Sequence, residues 1–345
     1  GWLVSVEEDP ETFSVSISVW NVSDEKGSMI SGEPWASSPS VAISGSSLVL
    51  HDSSRLDYYE LGSDDTEFTP KFSLQEGEAL LDVVIAESEA GQPLLVKVYE
   101  NRLEVMDDEQ VPADFEATGG GFSVMAASGQ LLAWADVASQ SPTVNVTSIS
   151  GSISISLALD VTASEDEDAY LEEISGITVD YSEAEVIYMD MDDSWVVAVV
   201  DVGPVNRTVL VNILTGEQSV LSDPIWQSSS PSVAHGRVAF LQIPFWDPSL
   251  DPEEVAIVND VYLHDIDANT TLAITHDDDV NQMDPQVLLE DVAWVEVDSD
   301  GMPSLKVYSG ETFQPYSSVI LQAAILMLIP LLFLWAYQAA SERRG

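Results

Sequence analysis

The sequence predicts an all-β fold, a β-propeller of about seven four-stranded blades with six or eight as alternatives, plus one C-terminal transmembrane α-helix. Three observations predict it. Short runs rich in Val, Ile, Leu, Tyr and Trp alternate at close spacing with breaks of Asp, Ser, Gly and Pro, the pattern of strands and turns. These runs recur in units of about 45–50 residues, the size of one blade. Near the end, 319–337 (VILQAAILMLIPLLFLWAY) carries no charge. As a helix that segment would span roughly 28 Å, close to the hydrocarbon thickness of a bilayer.

The strands are clearest at 13–22, 195–202, 237–242 and 292–297, and the repeat is clearest toward the C-terminus. PSVAHGRVAF at 231–240 aligns without gaps on PQVLLEDVAW at 285–294. SPSVA at 38–42 recurs at 230–234, and LAW at 132–134 matches VAW at 292–294. Units begin near residues 1, 38, 79, 121, 177, 230 and 284. The first lacks an obvious first strand, and the last shows three strands ending at 309. The acidic stretch within 150–190, EDED at 165–168 with Glu172 and Glu173, reads as a solvated loop between blades. Strand sharing between the termini would close the ring and protect its edges.

THDDDVNQMDP at 275–285, followed by DVAW at 291–294, resembles the TolB-type propeller repeat. The segment 231–240 followed by DVYL at 260–263 is similar to it as well. The family's Ser-Pro-Asp-Gly turn is replaced here by AHG and LED. The resemblance implies a propeller and protein binding. It brings over no catalytic residue, because the repeat motif is structural.

Charge bounds the function. Ten Lys and Arg face sixty Asp and Glu, a formal net charge of −50. Such a surface repels phosphate backbones and excludes nucleic-acid binding. There is no cysteine, which excludes disulfides, thiol catalysis and Cys-ligated zinc. The balance resembles that of salt-adapted, archaeal-type proteins, in which salt screens self-repulsion. Divalent cations or a basic partner would also relieve it.

The predicted organisation is a propeller over 1–312 outside the cytoplasm, a short linker at 313–318, a transmembrane helix at 319–339 and a basic cytoplasmic tail at 340–345. Trp335 and Tyr337 suit the headgroup level, and Arg343 and Arg344 set the orientation by the positive-inside rule. Four N-x-S/T sequons, at Asn21, Asn145, Asn206 and Asn269, fit an exterior location as glycosylation sites. Calcium is the one cofactor the residues suggest. Asp298 and Asp300 open an Asp-x-Asp-Gly sequence, although the same residues form a common hairpin turn. Asp265 and Asp267 form a second oxygen-rich group. DMDD at 190–193 is a further cluster, as is DDD at 277–279 with Asn281 and Asp284. His264 and His276 fall on consecutive strands of one unit. Trp20, Trp134, Trp195 and Trp294 recur on strands as core residues, while Trp226 and Trp246 lie in loops beside prolines.

No nucleophile elbow, His-Glu-x-x-His or phosphate-binding glycine loop occurs. The reading is therefore a non-enzymatic, single-pass surface protein. It binds or scaffolds other membrane or envelope subunits and is anchored in the lipid bilayer. The alternatives are a propeller hydrolase or lyase acting on surface glycans or peptides, and a calcium-dependent surface-lattice glycoprotein.

Overall fold

A computed structural model describes residues 2–8, 15–21, 26–30, 35, 37–62, 67–75, 77–100, 102–107, 122–136, 141–150, 152–243, 258–276, 280–289, 291–298 and 303–309. The described strands form seven sheets, each built mainly from one contiguous stretch of chain. The first contains β1 (Trp2–Glu8), β2 (Val15–Asn21) and β3 (Lys26–Ile30). The second contains β4 (Ser40–Ser44), β5 (Ser47–His51) and β6 (Arg55–Glu60). The short β7 (Glu67–Phe68) then returns to pair in parallel with β3, and β8 (Phe72–Gln75) completes the second sheet. The third sheet is β9 (Asp82–Glu87), β10 (Pro93–Val98) and β11 (Leu103–Asp107).

The fourth sheet is β12 (Phe122–Ser128), β13 (Leu131–Asp136), β14 (Thr143–Ser148) and β15 (Ser154–Ala158). After the helix α1 (Glu165–Ser175), the fifth is β16 (Glu185–Asp192), β17 (Trp195–Asp201), β18 (Asn206–Asn212) and β19 (Gln218–Val220). The sixth is β20 (Gln227–Ala234), β21 (Arg237–Ile243), β22 (Asp260–Asp265) and β23 (Thr270–Ala273). The seventh is β24 (Asn281–Val287), β25 (Asp291–Val297) and β26 (Pro303–Ser309). Apart from β3 with β7, all pairing is antiparallel between chain neighbours, with β6 skipping to β8.

Sheets begin close to the predicted unit starts, because the turn residues that break the apolar runs do end the strands. Two expectations are corrected. The first unit has its first strand, β1, in register with β2 from Trp2 opposite Asn21 to Glu8 opposite Val15. The acidic stretch is a helix rather than a loop. Ser164 caps it and Glu167 reaches back to the Ser164 backbone, a capping box, so EDED occupies the first turn where the helix dipole favours negative charge. Gly176, in the left-handed region at φ 68°, ends it.

Middle strands are apolar without alternation because both faces are covered. In β17, Val196, Ala198 and Val200 join a cluster with Val144 and Val146 of the fourth sheet, while Val197 turns the other way to meet Val238 and Phe240 of the sixth. Each buried Val or Leu contributes about 1.5–3 kcal/mol. The first strands β4, β9, β12, β16, β20 and β24 lie side by side in chain order, and so line a common axis. β12, β16, β20 and β24 each shift register against the second strand of their sheet. In β20 and β24 the shift coincides with Ser230 and Asp284, both at φ 48° and both preceding proline. Left-handed backbone is costly for non-glycine residues and is disfavoured again before proline, so the local geometry is imposed by the sheets around it. This is the structural form of the sequence repeat.

The predicted linker at 313–318, helix at 319–339 and tail at 340–345 lie outside the described residues, as do Trp335, Tyr337, Arg343 and Arg344. Among the described residues no helix is long and apolar enough to cross a membrane.

Candidate axial site

The residues lining the axis come from the first strands. In β16, apolar Met189 and Met191 point into the body of the sheet and are buried, while Tyr188, Asp190 and Asp192 alternate with them on the opposite side. Tyr188 is 41 % exposed yet closely hemmed in. Burial and then the charges of Asp190, Asp284 and Asp82 push its hydroxyl well above the usual tyrosine range. Those carboxylates belong to the fifth, seventh and third sheets, which meet only near the axis.

Asp190 is strongly perturbed. Burial pushes its carboxyl up to about 6, repulsion from Asp192 adds to this, and the Val233 and Met191 amides oppose it. Its Oδ2 accepts from the Val233 N–H at 2.8 Å and its Oδ1 from the Met191 N–H at 2.8 Å. Asp82 lies 3.4 Å from the buried His51 Nε2 and accepts from the Val83 N–H. Among the described residues no Lys or Arg is ion-paired with Asp190 or Asp284. The cations are engaged elsewhere, as in Arg55 with Asp57, Lys97 with Glu104, Arg102 with Glu78 and Lys306 with Glu296.

The same strands carry a repeated clamp between sheets. Ser128 Oγ accepts from the Asp193 N–H at 2.9 Å, and Asp192 Oδ2 accepts from the His235 N–H at 2.7 Å. Asp193 and His235 are each the first residue of a two-residue turn between first and second strands, at φ 49° and 51°. One layer deeper, Asp190 holds Val233 and Ser232 Oγ accepts from the Val287 N–H at 3.3 Å. The acceptor is always on the earlier sheet. Asp190 therefore both charges the axis and fastens the fifth sheet to the sixth.

The remaining sequence candidates fall as follows. Asp265 Oδ1 accepts from the Ala268 N–H at 2.8 Å, capping the turn into β23, and Asp267 is exposed in that turn. Asp298 follows β25, in the connection to β26, and Asp300 lies outside the described residues. Among the described residues no group of three or more His, Asp or Glu side chains has the arrangement of a metal site. Asn269 sits in an exposed turn, Asn21 ends β2, Asn206 starts β18, and Asn145 is half-buried in mid-strand on β14. His264 and His276 are not brought together. Buried His264 bonds Thr271 at 2.9 Å, and His276 is exposed beyond the end of β23. Trp294 is buried, but Trp20 is exposed, and Trp226 is half-buried. Trp246 lies outside the described residues.

Sequence reasoning marked 190–193 and Asp284 only as separate acidic clusters. The signal that joins them is the alternation of Tyr188, Asp190 and Asp192 with buried Met189 and Met191 on a first strand.

The helix α1 packs against the fifth sheet through the buried Leu171 and through Arg207. The Arg207 side chain is fully buried and donates to the carbonyls of Val161 and Pro224, to the Tyr181 hydroxyl at 2.8 Å and to Asp168 at 3.2 Å. Its charge is thus satisfied as a structural anchor.

No sequence family and no curated protein matches the chain. Solved structures do. The β-propeller domain of Cps50 (Swd1) from Myceliophteria thermophila is 8 % identical with a TM-score of 0.51, covering 90 % of this chain and 99 % of that one. A puromycin-hydrolyzing peptidase of Mycobacterium tuberculosis is 12 % identical at 0.58, and the match covers 90 % of this chain and 50 % of the peptidase. The chain thus spans about half the length of that enzyme. The β-propeller domain of the Trilobed protease from Pyrococcus furiosus, described as having an open velcro topology, is 10 % identical at 0.53, covering 90 % and 92 %. At these identities the likeness shows the fold alone: the chain is a β-propeller.

Proposed function

We propose that the chain is a membrane-tethered, seven-bladed propeller of TolB-like type that binds a partner through its acidic axis, as a scaffolding subunit of a cell-envelope or membrane complex. The observation that carries this reading is the meeting of Asp82, Asp190 and Asp284 around Tyr188, with no Lys or Arg ion-paired to Asp190 or Asp284 among the described residues. A cationic segment entering there would meet the buried carboxylate of Asp190, where attraction is stronger than at an open surface, flanked by the more exposed Asp82 and Asp284. In this proposal 1–312 lies outside the cytoplasm, 319–339 spans the bilayer, and the short linker holds the disk near neighbouring subunits. The uncharged run at 319–337 supports the anchor.

The test uses the full chain in detergent, titrated with an oligo-lysine peptide. Neutralising Asp82, Asp190 and Asp284 to Asn should weaken binding about tenfold more than neutralising Glu165, Asp166 and Glu173 on the helix, which removes the same charge. Equal losses would show that only net charge attracts the peptide.

A further inference from the structure

Where the sixth sheet meets the seventh, polar side chains gather at the starts of β22 and β24. Gln282, the second residue of β24, is fully buried. Thr275 Oγ1 accepts from the Val261 N–H at 2.8 Å and lies 2.9 Å from Asp260 Oδ1 and 3.3 Å from Gln282 Oε1. Asn259 donates its Nδ2 to the Gln282 carbonyl at 3.1 Å and its N–H to Asn281 Oδ1 at 3.4 Å. Two buried atoms of this group, Asn259 Oδ1 and Gln282 Nε2, have no hydrogen-bond partner among the described residues. Buried polar atoms are rarely left so, because an unpaired one forfeits its hydration.

Between the fifth and sixth sheets the same positions hold hydroxyls. Ser222 Oγ accepts from the Thr208 N–H as Thr275 does from Val261. Ser228, the second residue of β20, bonds Thr208 Oγ1 at 2.6 Å and donates to the Leu241 carbonyl at 3.0 Å. A short hydroxyl is used up there, whereas a longer amide reaches the sixth–seventh joint and is not.

Thr275 has one hydroxyl proton and faces two acceptors. With the Gln282 amide turned by 180°, Nε2 donates to Thr275 Oγ1, which then accepts two bonds and gives its proton to Asp260. Asn259 is held in its orientation, because Nδ2 is committed to the Gln282 carbonyl. The atoms left over are then two carbonyl oxygens, Gln282 Oε1 and Asn259 Oδ1, in a group that also holds the Asp260 carboxylate.

We propose that this joint binds one calcium ion through Gln282 Oε1, Asn259 Oδ1 and the Asp260 carboxylate, fastening the seventh sheet to the sixth. Oxygen acceptors lacking donors are completed by a hard cation. One carboxylate with neutral oxygens suits calcium, which takes six to eight oxygen ligands in adaptable geometry and fills the rest with water, whereas magnesium demands a tighter octahedron. These ligands are distinct from Asp265, Asp267, Asp298 and Asp300, and the site is independent of the axis.

The test uses the full chain in detergent with about 0.5 M NaCl, which screens the surface acids beyond about 4 Å. Calcium at about ten times its Kd should raise Tm by about 2 °C, and magnesium at the same concentration should not. Gln282→Leu should abolish the shift. Gln282→Glu keeps an oxygen and adds a charge, so calorimetry should show calcium bound about tenfold more tightly than in the unaltered chain. An equal shift with magnesium, or a calcium shift that survives Gln282→Leu, would overturn the proposal. No response to calcium in the unaltered chain would overturn it too, leaving water as the occupant. Terbium luminescence lifetimes in H2O and D2O on the unaltered chain need no variant. An ion at this joint should have lost about three coordinated waters, one for each protein ligand. An ion that keeps nearly all of them sits on surface carboxylates and refutes the site.

Discussion

Replacing Asp190 by Asn should make the protein more stable, relative to wild type, at neutral pH than in acid. The folded carboxyl ionises near 6 and the unfolded one near 3.8, so ionisation costs the fold about two pK units, or roughly 3 kcal/mol. The sign follows from the raised value. Below the unfolded pKa both states are protonated and nothing is lost. As pH rises from about 4 to 6 the unfolded chain releases its proton first, and stability falls until the folded group ionises as well. Asn carries no charge and keeps one oxygen to accept from the Val233 N–H, so the clamp between the fifth and sixth sheets survives, while its amide nitrogen cannot accept from the Met191 N–H, a loss that is the same at every pH and leaves the pH dependence untouched. For a chain of this size about 3 kcal/mol corresponds to ~5 °C in Tm. The assay is a set of thermal melts from pH 4 to 8, read as variant minus wild type so that the other carboxylates cancel. The difference should grow between pH 4 and 6 and then level off. A difference that is flat across that range would refute the reasoning.

Three further outcomes follow from the packing. Ser164→Ala removes the helix cap and should lower stability by about 1 kcal/mol, seen in urea denaturation and as faster proteolysis within 159–184. Arg207→Met should cost about 3–5 kcal/mol, because Asp168 keeps only the Tyr181 hydroxyl and loses its cation, and the Val161 and Pro224 carbonyls lose the guanidinium; a loss below 1 kcal/mol would contradict the anchor role. If the domain is glycosylated, Asn269 in its exposed turn should be occupied and Asn145 on its half-buried strand should not, as peptide mapping by mass spectrometry would reveal.

The fold was legible where one unit repeats another. The alignment of 231–240 on 285–294 corresponds to β20–β21 and β24–β25, and even the shared proline marks the same left-handed residue and register shift. The run at 195–202 was legible as a strand because a sheet covered on both faces needs no polar side. The helix α1 was missed because it buries only Leu171 and its acids read as solvent-facing. Its capping box was the signal that outweighs them. The axial site was only half legible. Asp190 and Asp284 stand out as acidic, but nothing local says that strands 94 residues apart meet at one tyrosine. That depends on ring geometry, as does the clamp of Ser128 on Asp193. The exposure of Trp20 was not foreseen either, since its neighbours in sequence read as an ordinary strand and only the order of sheets leaves its face uncovered.

The most direct measurement of the account is where a bound cationic peptide sits. Oligo-lysine carrying a photo-cross-linker, irradiated with the full chain and mapped by mass spectrometry, should label first-strand residues around Tyr188, in β9, β16 and β24. Labelling concentrated on α1 or scattered over the outer strands, with the axial residues untouched, would contradict a binding role for the axis.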